Sequence, residues 1–197
     1  MSISAADVKS LREITGAGIM DCKEALTATN GNTEKAIEYL RKKGLKTLEK
    51  KAGRETKEGI IQHYIHPGSR LGVLVEVNCE TDFVAKTEDF QAFTKNIAMH
   101  IAASNPLVIK REDVLQKLID KEIDIYRTQA IEQKRPENVI DKFVQGKLEK
   151  YYQEVCLLEQ AYIRDPNMTI QDLLKETVAK LGENIAIKRF VRFQLGE

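Results

Sequence analysis

Leu71-Gly72-Val73-Leu74-Val75-Glu76-Val77 leads directly into Asn78-Cys79-Glu80-Thr81-Asp82-Phe83-Val84, and the reading of this junction decides the fold. Leu71, Val73, Val75 and Val77 alternate with Gly72, Leu74 and Glu76, the period of two expected of a strand with one buried face. An acid and a large aromatic then stand where a turn is required. Local chemistry reads the turn as a helix start, with Thr81 as N-cap and Asp82 favoured by the helix dipole. On that reading Phe83 folds into the core, where aromatics after strands usually go.

Upstream, Gly59-Ile60-Ile61-Gln62-His63-Tyr64-Ile65 has the same extended character, and His66-Pro67-Gly68-Ser69 between the two runs is a turn signal. The pair reads as an antiparallel hairpin. At the far end Val191, Phe193 and Leu195 alternate with Phe190, Arg192 and Gln194, which predicts a third strand. Helices are expected between them over Phe90 to Ala103 and Thr169 to Leu181. The latter opens on a Thr169-Ile170-Gln171-Asp172 capping box and closes at Gly182. Strands at both ends with helices between them make an α+β core over residues 58–197, with a small antiparallel three-stranded sheet.

Residues 1–50 read as three short helices. Ser4-Ala5-Ala6-Asp7 offers a capping box for the first, Asn30-Gly31 stops the second, and Asn32 or Thr33 caps the third. Ala36, Ile37 and Leu40 form one face of that third helix before Gly44 interrupts it. A basic connector follows to about residue 57. Arg41, Lys42, Lys43, Lys46, Lys50, Lys51, Arg54 and Lys57 against Glu49 and Glu55 give it a local charge of +6. It reads either as an RNA-binding arm or as a solvated linker helix; it contains no aromatic residue for base stacking.

Glu112 to Leu158 reads as two long helices broken at Arg135-Pro136-Glu137-Asn138. Ile119, Ile123, Tyr126 and Ala130 in the first, and Tyr151, Val155 and Leu158 in the second, have seam spacing. An antiparallel coiled-coil hairpin is expected over 112–158, with arms of roughly 20 residues and about 30 Å. A pair of helices lying flat on the core is the alternative.

The 197 residues carry 31 Lys+Arg against 30 Asp+Glu, a formal net charge of +1, so no global field announces nucleic acid or an anionic membrane as partner. Met1-Ser2-Ile3-Ser4-Ala5-Ala6-Asp7 has an early acid and no apolar run, so no signal peptide is expected. Cys22, Cys79 and Cys156 are odd in number and widely spaced, fitting reduced thiols in cytoplasm. His63 and His66, three apart within or beside a strand, point to opposite faces and make a poor metal pair. His100 stands in an apolar helical run, where a hydrogen-bonded packing role is the default. Thr15-Gly16-Ala17-Gly18 lacks the Lys-Ser or Lys-Thr of a phosphate loop. No cofactor, metal or bound nucleotide is expected, and no covalent chemistry.

Asn78-Cys79-Glu80-Thr81-Asp82-Phe83-Val84-Ala85-Lys86 resembles the signature of the translation elongation factor Ts family. Leu11-Arg12-Glu13 with Thr15-Gly16-Ala17-Gly18-Ile19-Met20-Asp21-Cys22-Lys23-Glu24-Ala25-Leu26 resembles its other fingerprint, and Gly182-Glu183-Asn184-Ile185 and Arg189-Phe190-Val191-Arg192-Phe193 are similar to further family segments. The resemblance implies a guanine nucleotide exchange factor for elongation factor Tu. It gives Thr81, Asp82, Phe83 and Val84 the task of disturbing the Mg²⁺ site of that partner, with Phe83 as wedge and Asp82 as polar anchor. It makes the N-terminal helices a compact module like a ubiquitin-associated domain. Lys9, Arg12, Ile19 and Met20 become partner contacts, the last two in a short loop, with His100 near the core contact. It also implies a protruding helical hairpin. Longer family members carry two related sheet-bearing halves where this sequence has one, so a homodimer is expected. A non-catalytic adaptor and an RNA-binding protein using the connector are the competing classes.

Overall fold

Buried side chains at Phe90, Phe93, Thr94, Ile97, Ala98, Ile101 and Ala102 recur at helical spacing along one stripe, and they lie on the helix Glu88–Ser104. In the computed structural model, which describes residues 3–51 and 53–197 and only the backbone of residues 41 and 44–51, the helices are α1 (Ala5–Thr15), α2 (Ile19–Ala28), α3 (Thr33–Lys51), α4 (Asp82–Ala85), α5 (Glu88–Ser104), α6 (Gln116–Glu132), α7 (Glu137–Val155) and α8 (Ile170–Leu181). The strands are β1 (Glu58–Ile65), β2 (Leu71–Cys79), β3 (Ala161–Tyr162), β4 (Asp165–Thr169) and β5 (Ile185–Gln194). The fold is α+β, as the alternating strand and helix periods predict.

β2 is the middle strand of a three-stranded sheet, between β1 and β5. His66 N–H donates to the Leu71 carbonyl at 2.9 Å and Ser69 N–H to the His66 carbonyl at 3.0 Å, closing the β1–β2 hairpin on Gly68 and Ser69, both at positive φ. Leu195 N–H reaches the Arg70 carbonyl at 2.8 Å, while Asn184 N–H reaches Glu80 at 2.6 Å. The end of β5 thus meets the start of β2 and its start meets the end of β2, an antiparallel pairing. On β2, Val73, Val75, Val77 and Cys79 are buried, the face the alternation assigns to the core.

The chain divides into two compact units, one of Met1–Ile61, Glu76–Thr94 and Asp172–Ile187, the other of Gln62–Val75, Lys95–Gln171 and Lys188–Glu197. In the first, α1 to α3 share a cluster of Val8, Leu11, Cys22, Ala25, Leu26 and Ala36, with Ile37 and Leu40 packed against it. The Ser4–Asp7 capping box forms in both directions, and Asn32 Oδ1 accepts the Lys35 N–H at 2.9 Å. The expected break at Gly44 does not occur: α3 continues to Lys51, because one interior glycine costs only about 1 kcal/mol. The side chains of Arg41, Lys46, Lys50 and Lys51 in the basic connector lie outside the described residues. Of the others, Lys43 binds Asp21 at 2.8 Å and Glu24 at 2.6 Å, which ties α3 to α2.

In the second unit α6 and α7 pack against each other, joined through Lys134 at positive φ and Pro136 as N-cap of α7. Ala130, Val144 and Leu148 are buried between half-buried Ile119, Ile123, Tyr126 and Tyr151. Leu158 does not belong to the α7 seam: the helix ends at Val155, and Leu158 sits in a 3₁₀ turn, Leu157–Glu159. Arg111 fixes the base of the pair, bonding Glu149 of α7 at 2.6 Å and Glu159 just beyond it. A second, two-stranded sheet is formed by β3 and β4, which no periodicity in the sequence predicts.

Candidate functional site

β2 ends at Cys79 and the chain turns into α4, a single helical turn. Thr81, extended at φ −128° and ψ 155°, is its N-cap, and the hydroxyl accepts the Val84 N–H at 3.4 Å. Cys79 donates from Sγ to the Thr81 carbonyl at 3.1 Å. Its thiol is buried, which pushes its pKa up to about 11 and leaves it an inert part of the turn.

Glu183, just past α8, reaches across to this turn. One carboxylate oxygen accepts the Glu80 N–H at 3.1 Å and the Thr81 N–H at 3.0 Å, and the other accepts the Thr81 hydroxyl at 2.6 Å. Glu80 answers in the opposite direction, accepting the Asn184 N–H at 2.6 Å and Arg54 Nη1 at 3.4 Å. Asn184 Nδ2 in turn donates to the Arg54 carbonyl at 2.9 Å. The end of β2, the start of β5 and the end of the connector are thereby knotted together within one unit. The sequence marked Gly182-Glu183-Asn184-Ile185 only as a segment; no local pattern states that Glu183 bonds a residue 102 positions away.

The orientation of Phe83 follows from the burial of its neighbour in α4. Ala85 is the buried residue of α4, and a residue two positions earlier lies roughly 200° around a helix. Phe83 accordingly stands 79% exposed. The helix start with Thr81 as N-cap forms as local chemistry predicts, but the core position for Phe83 does not. Asp82, half-buried, binds Lys86 one turn later at 2.6 Å, and that bond holds its carboxyl below the usual range. Val84 is half-buried.

In the N-terminal helices Lys9 and Arg12 are exposed on α1. Ile19 and Met20 are 55% and 72% exposed, and they occupy the first turn of α2 instead of a loop. Gly18, extended at φ −61° and ψ 148°, is the N-cap, and its carbonyl accepts the Cys22 N–H at 2.9 Å. Ile14, near the end of α1, is 61% exposed. His100 is fully buried. Its Nε2 lies 2.9 Å from Gln160 Oε1, while the Gln160 amide nitrogen donates to the Glu154 carbonyl at 2.6 Å. That orientation makes Nε2 the donor and leaves Nδ1 without a partner. His100 therefore has no surface to offer a partner. His66 Nδ1 lies 3.0 Å from the Tyr64 hydroxyl. Among the described residues no group of three or more His, Cys, Asp or Glu is arranged to hold a metal ion, and no helix is long and apolar enough to cross a membrane.

The family model described as elongation factor TS matches residues 3–197. The chain belongs to the elongation factor Ts family. Elongation factor Ts of Geobacter sulfurreducens is 56% identical over 197 residues, 100% of this chain and 91% of that protein. Elongation factor Ts of Moorella thermoacetica is 59% identical over 195 residues, 99% and 96% of the two chains. That of Caldanaerobacter subterraneus is 61% identical over 195 residues, 99% and 98%. As a member of the elongation factor Ts family, the chain is a factor of translation and protein biosynthesis. The segment with exposed Phe83 and the helices with exposed Ile19 and Met20 both lie inside the matched range.

Proposed function

We propose that this chain is a cytoplasmic guanine nucleotide exchange factor for elongation factor Tu, without covalent chemistry of its own. The observation that carries the reading is Phe83: a large aromatic exposed on a single-turn helix, at the end of the middle strand of a sheet. Exposing it keeps apolar area in water at a cost of about 2 kcal/mol relative to burial, which burial in a partner would recover. Bound GDP depends on a Mg²⁺ bridge and on backbone donors around its phosphates. A wedge that shifts the partner's helices by little disturbs both. Phe83 is that wedge, Asp82 its polar anchor, and Thr81 and Val84 build the turn that presents them. Linkage then requires GDP to weaken binding of the factor by the ratio in which the factor weakens GDP.

Lys9, Arg12, Ile19 and Met20 form a second grip on the same partner, with flexible Met20 suited to a binding surface. In this reading α1 to α3 work as a module like a ubiquitin-associated domain, and α6 with α7 as a protruding coiled-coil hairpin secondary to exchange. The factor works as a homodimer. Ile65, Leu74, Val191, Phe193 and Leu195 are all exposed in one unit, and Ile65 lies over Gly72, its Cδ1 3.0 Å from where a Cβ would stand. A second copy about a two-fold axis covers such a sheet face.

The test is release of a fluorescent GDP from elongation factor Tu with and without this protein. Acceleration at catalytic amounts is expected. Binding without acceleration would favour a plain adaptor and overturn the reading; binding to RNA that weakens steeply with salt, without exchange, would favour the connector instead.

A further inference from the structure

We propose that Glu183 is a positioning residue for exchange, which fixes the direction in which Phe83 is presented; the inference rests on the exchange reading above. Three donors converge on its carboxylate: the N–H groups of Glu80 and Thr81 and the Thr81 hydroxyl, at 3.1, 3.0 and 2.6 Å. The hydroxyl has a single hydrogen. Because Glu183 takes it, the lone pairs of Thr81 Oγ1 are left for the Val84 N–H, so the charge at Glu183 selects the rotor state that caps α4. A charge-assisted acceptor is also stronger than a neutral one.

The placement of Glu183 is built into the backbone. Gly182 ends α8 at φ +75°, where its N–H closes on the Val178 carbonyl at 2.9 Å, and the chain leaves into β5 beside the end of β2. The reciprocal bond from Asn184 N–H to Glu80 locks the register of this crossing. Glu183 touches none of the reacting groups. It acts through Thr81 on α4, and through α4 on Phe83.

The experiment measures GDP release from elongation factor Tu against factor concentration for wild type, Glu183→Ala, Glu183→Gln, Phe83→Ala and the Phe83→Ala/Glu183→Ala double variant, each checked for folding by circular dichroism. Glu183→Ala is expected to lower the maximal rate roughly tenfold while the half-saturating concentration moves by less than about threefold, as for an interaction used in the distortion and not in the grip. Glu183→Gln is expected to fall between, since its amide oxygen keeps one acceptor while its NH₂ opposes a donor. On the Phe83→Ala background Glu183→Ala should subtract almost nothing, since the two act as one device. A folded Glu183→Ala protein with the wild-type maximal rate, or losses that multiply in the double variant, would overturn the proposal. If Glu183→Ala does not fold, Glu183→Gln carries the same comparison, and an unchanged maximal rate there overturns it too. Absence of exchange by the wild type would sink the exchange reading itself, and this proposal with it.

Discussion

Phe83 shows what can and cannot be read one residue at a time. Thr81 as N-cap and Asp82 in the first helical turn are local chemistry, and both are found. The direction of Phe83 follows from which residue of the single-turn helix is buried, and that is Ala85, a choice made by tertiary packing, so local chemistry alone misassigns Phe83 to the core. His100 is the reverse case, a side chain whose apolar helical surroundings correctly foretell burial. Burial, opposed by the bond to Gln160, holds its pKa below the ordinary 6.5, and Nδ1 has no acceptor for a second proton. The unfolded chain therefore takes up this proton at a higher pH than the folded chain does. Stability is full above about 6.5 and declines as pH falls below it. Denaturant midpoints at about pH 7 and about pH 5.5 should separate more for wild type than for His100→Gln; equal separations would show that the imidazole takes no part.

Elements were legible where their period was long. β1, β2, α5 and the pair α6–α7 lie where the alternation and the helical stripes place them, while β5 begins at Ile185, five residues ahead of the strand expected from Phe190, and ends at Gln194. β3 and β4 were not, because two and five residues including Pro166 give too short a pattern to register. β5 was legible as a strand but not in its facing. Its buried positions shift from Ile187 to half-buried Phe190 and Arg192, leaving Val191 and Phe193 outside. One glycine has a consequence the sequence does not announce. Gly59, at φ +143°, lies against β2 so closely that a Cβ would stand 2.2 Å from the Val77 carbonyl oxygen. Gly59→Ala should lower stability by about 1–3 kcal/mol through overpacking and backbone strain, read as a drop in urea midpoint at constant m-value; a change under about 0.5 kcal/mol would mean that the strand edge yields freely.

At the scale of the whole molecule the chain is expected to do two things, self-associate and drive exchange. The exposed face carrying Val191, Phe193 and Leu195 predicts a dimer of the 22.4 kDa chain with an apolar interface above about 1,000 Å². Cys22, Cys79 and Cys156 are all free and buried, so reducing agent should leave the dimer intact. Sedimentation equilibrium at micromolar concentration should give twice the chain mass for wild type and a lower mass for Phe193→Glu, and a wild-type monomer that still catalyses exchange would remove the dimer from the account. The most direct test of the exchange mechanism compares wild type with Phe83→Ala at saturating concentration, following release of a fluorescent GDP from elongation factor Tu. An exposed aromatic lost from a surface turn changes stability by about 0.5 kcal/mol or less, so the variant should keep its fold and its thermal midpoint while losing most of the acceleration, with Asp82→Ala losing less. A folded Phe83→Ala protein that releases GDP as fast as wild type would contradict the account.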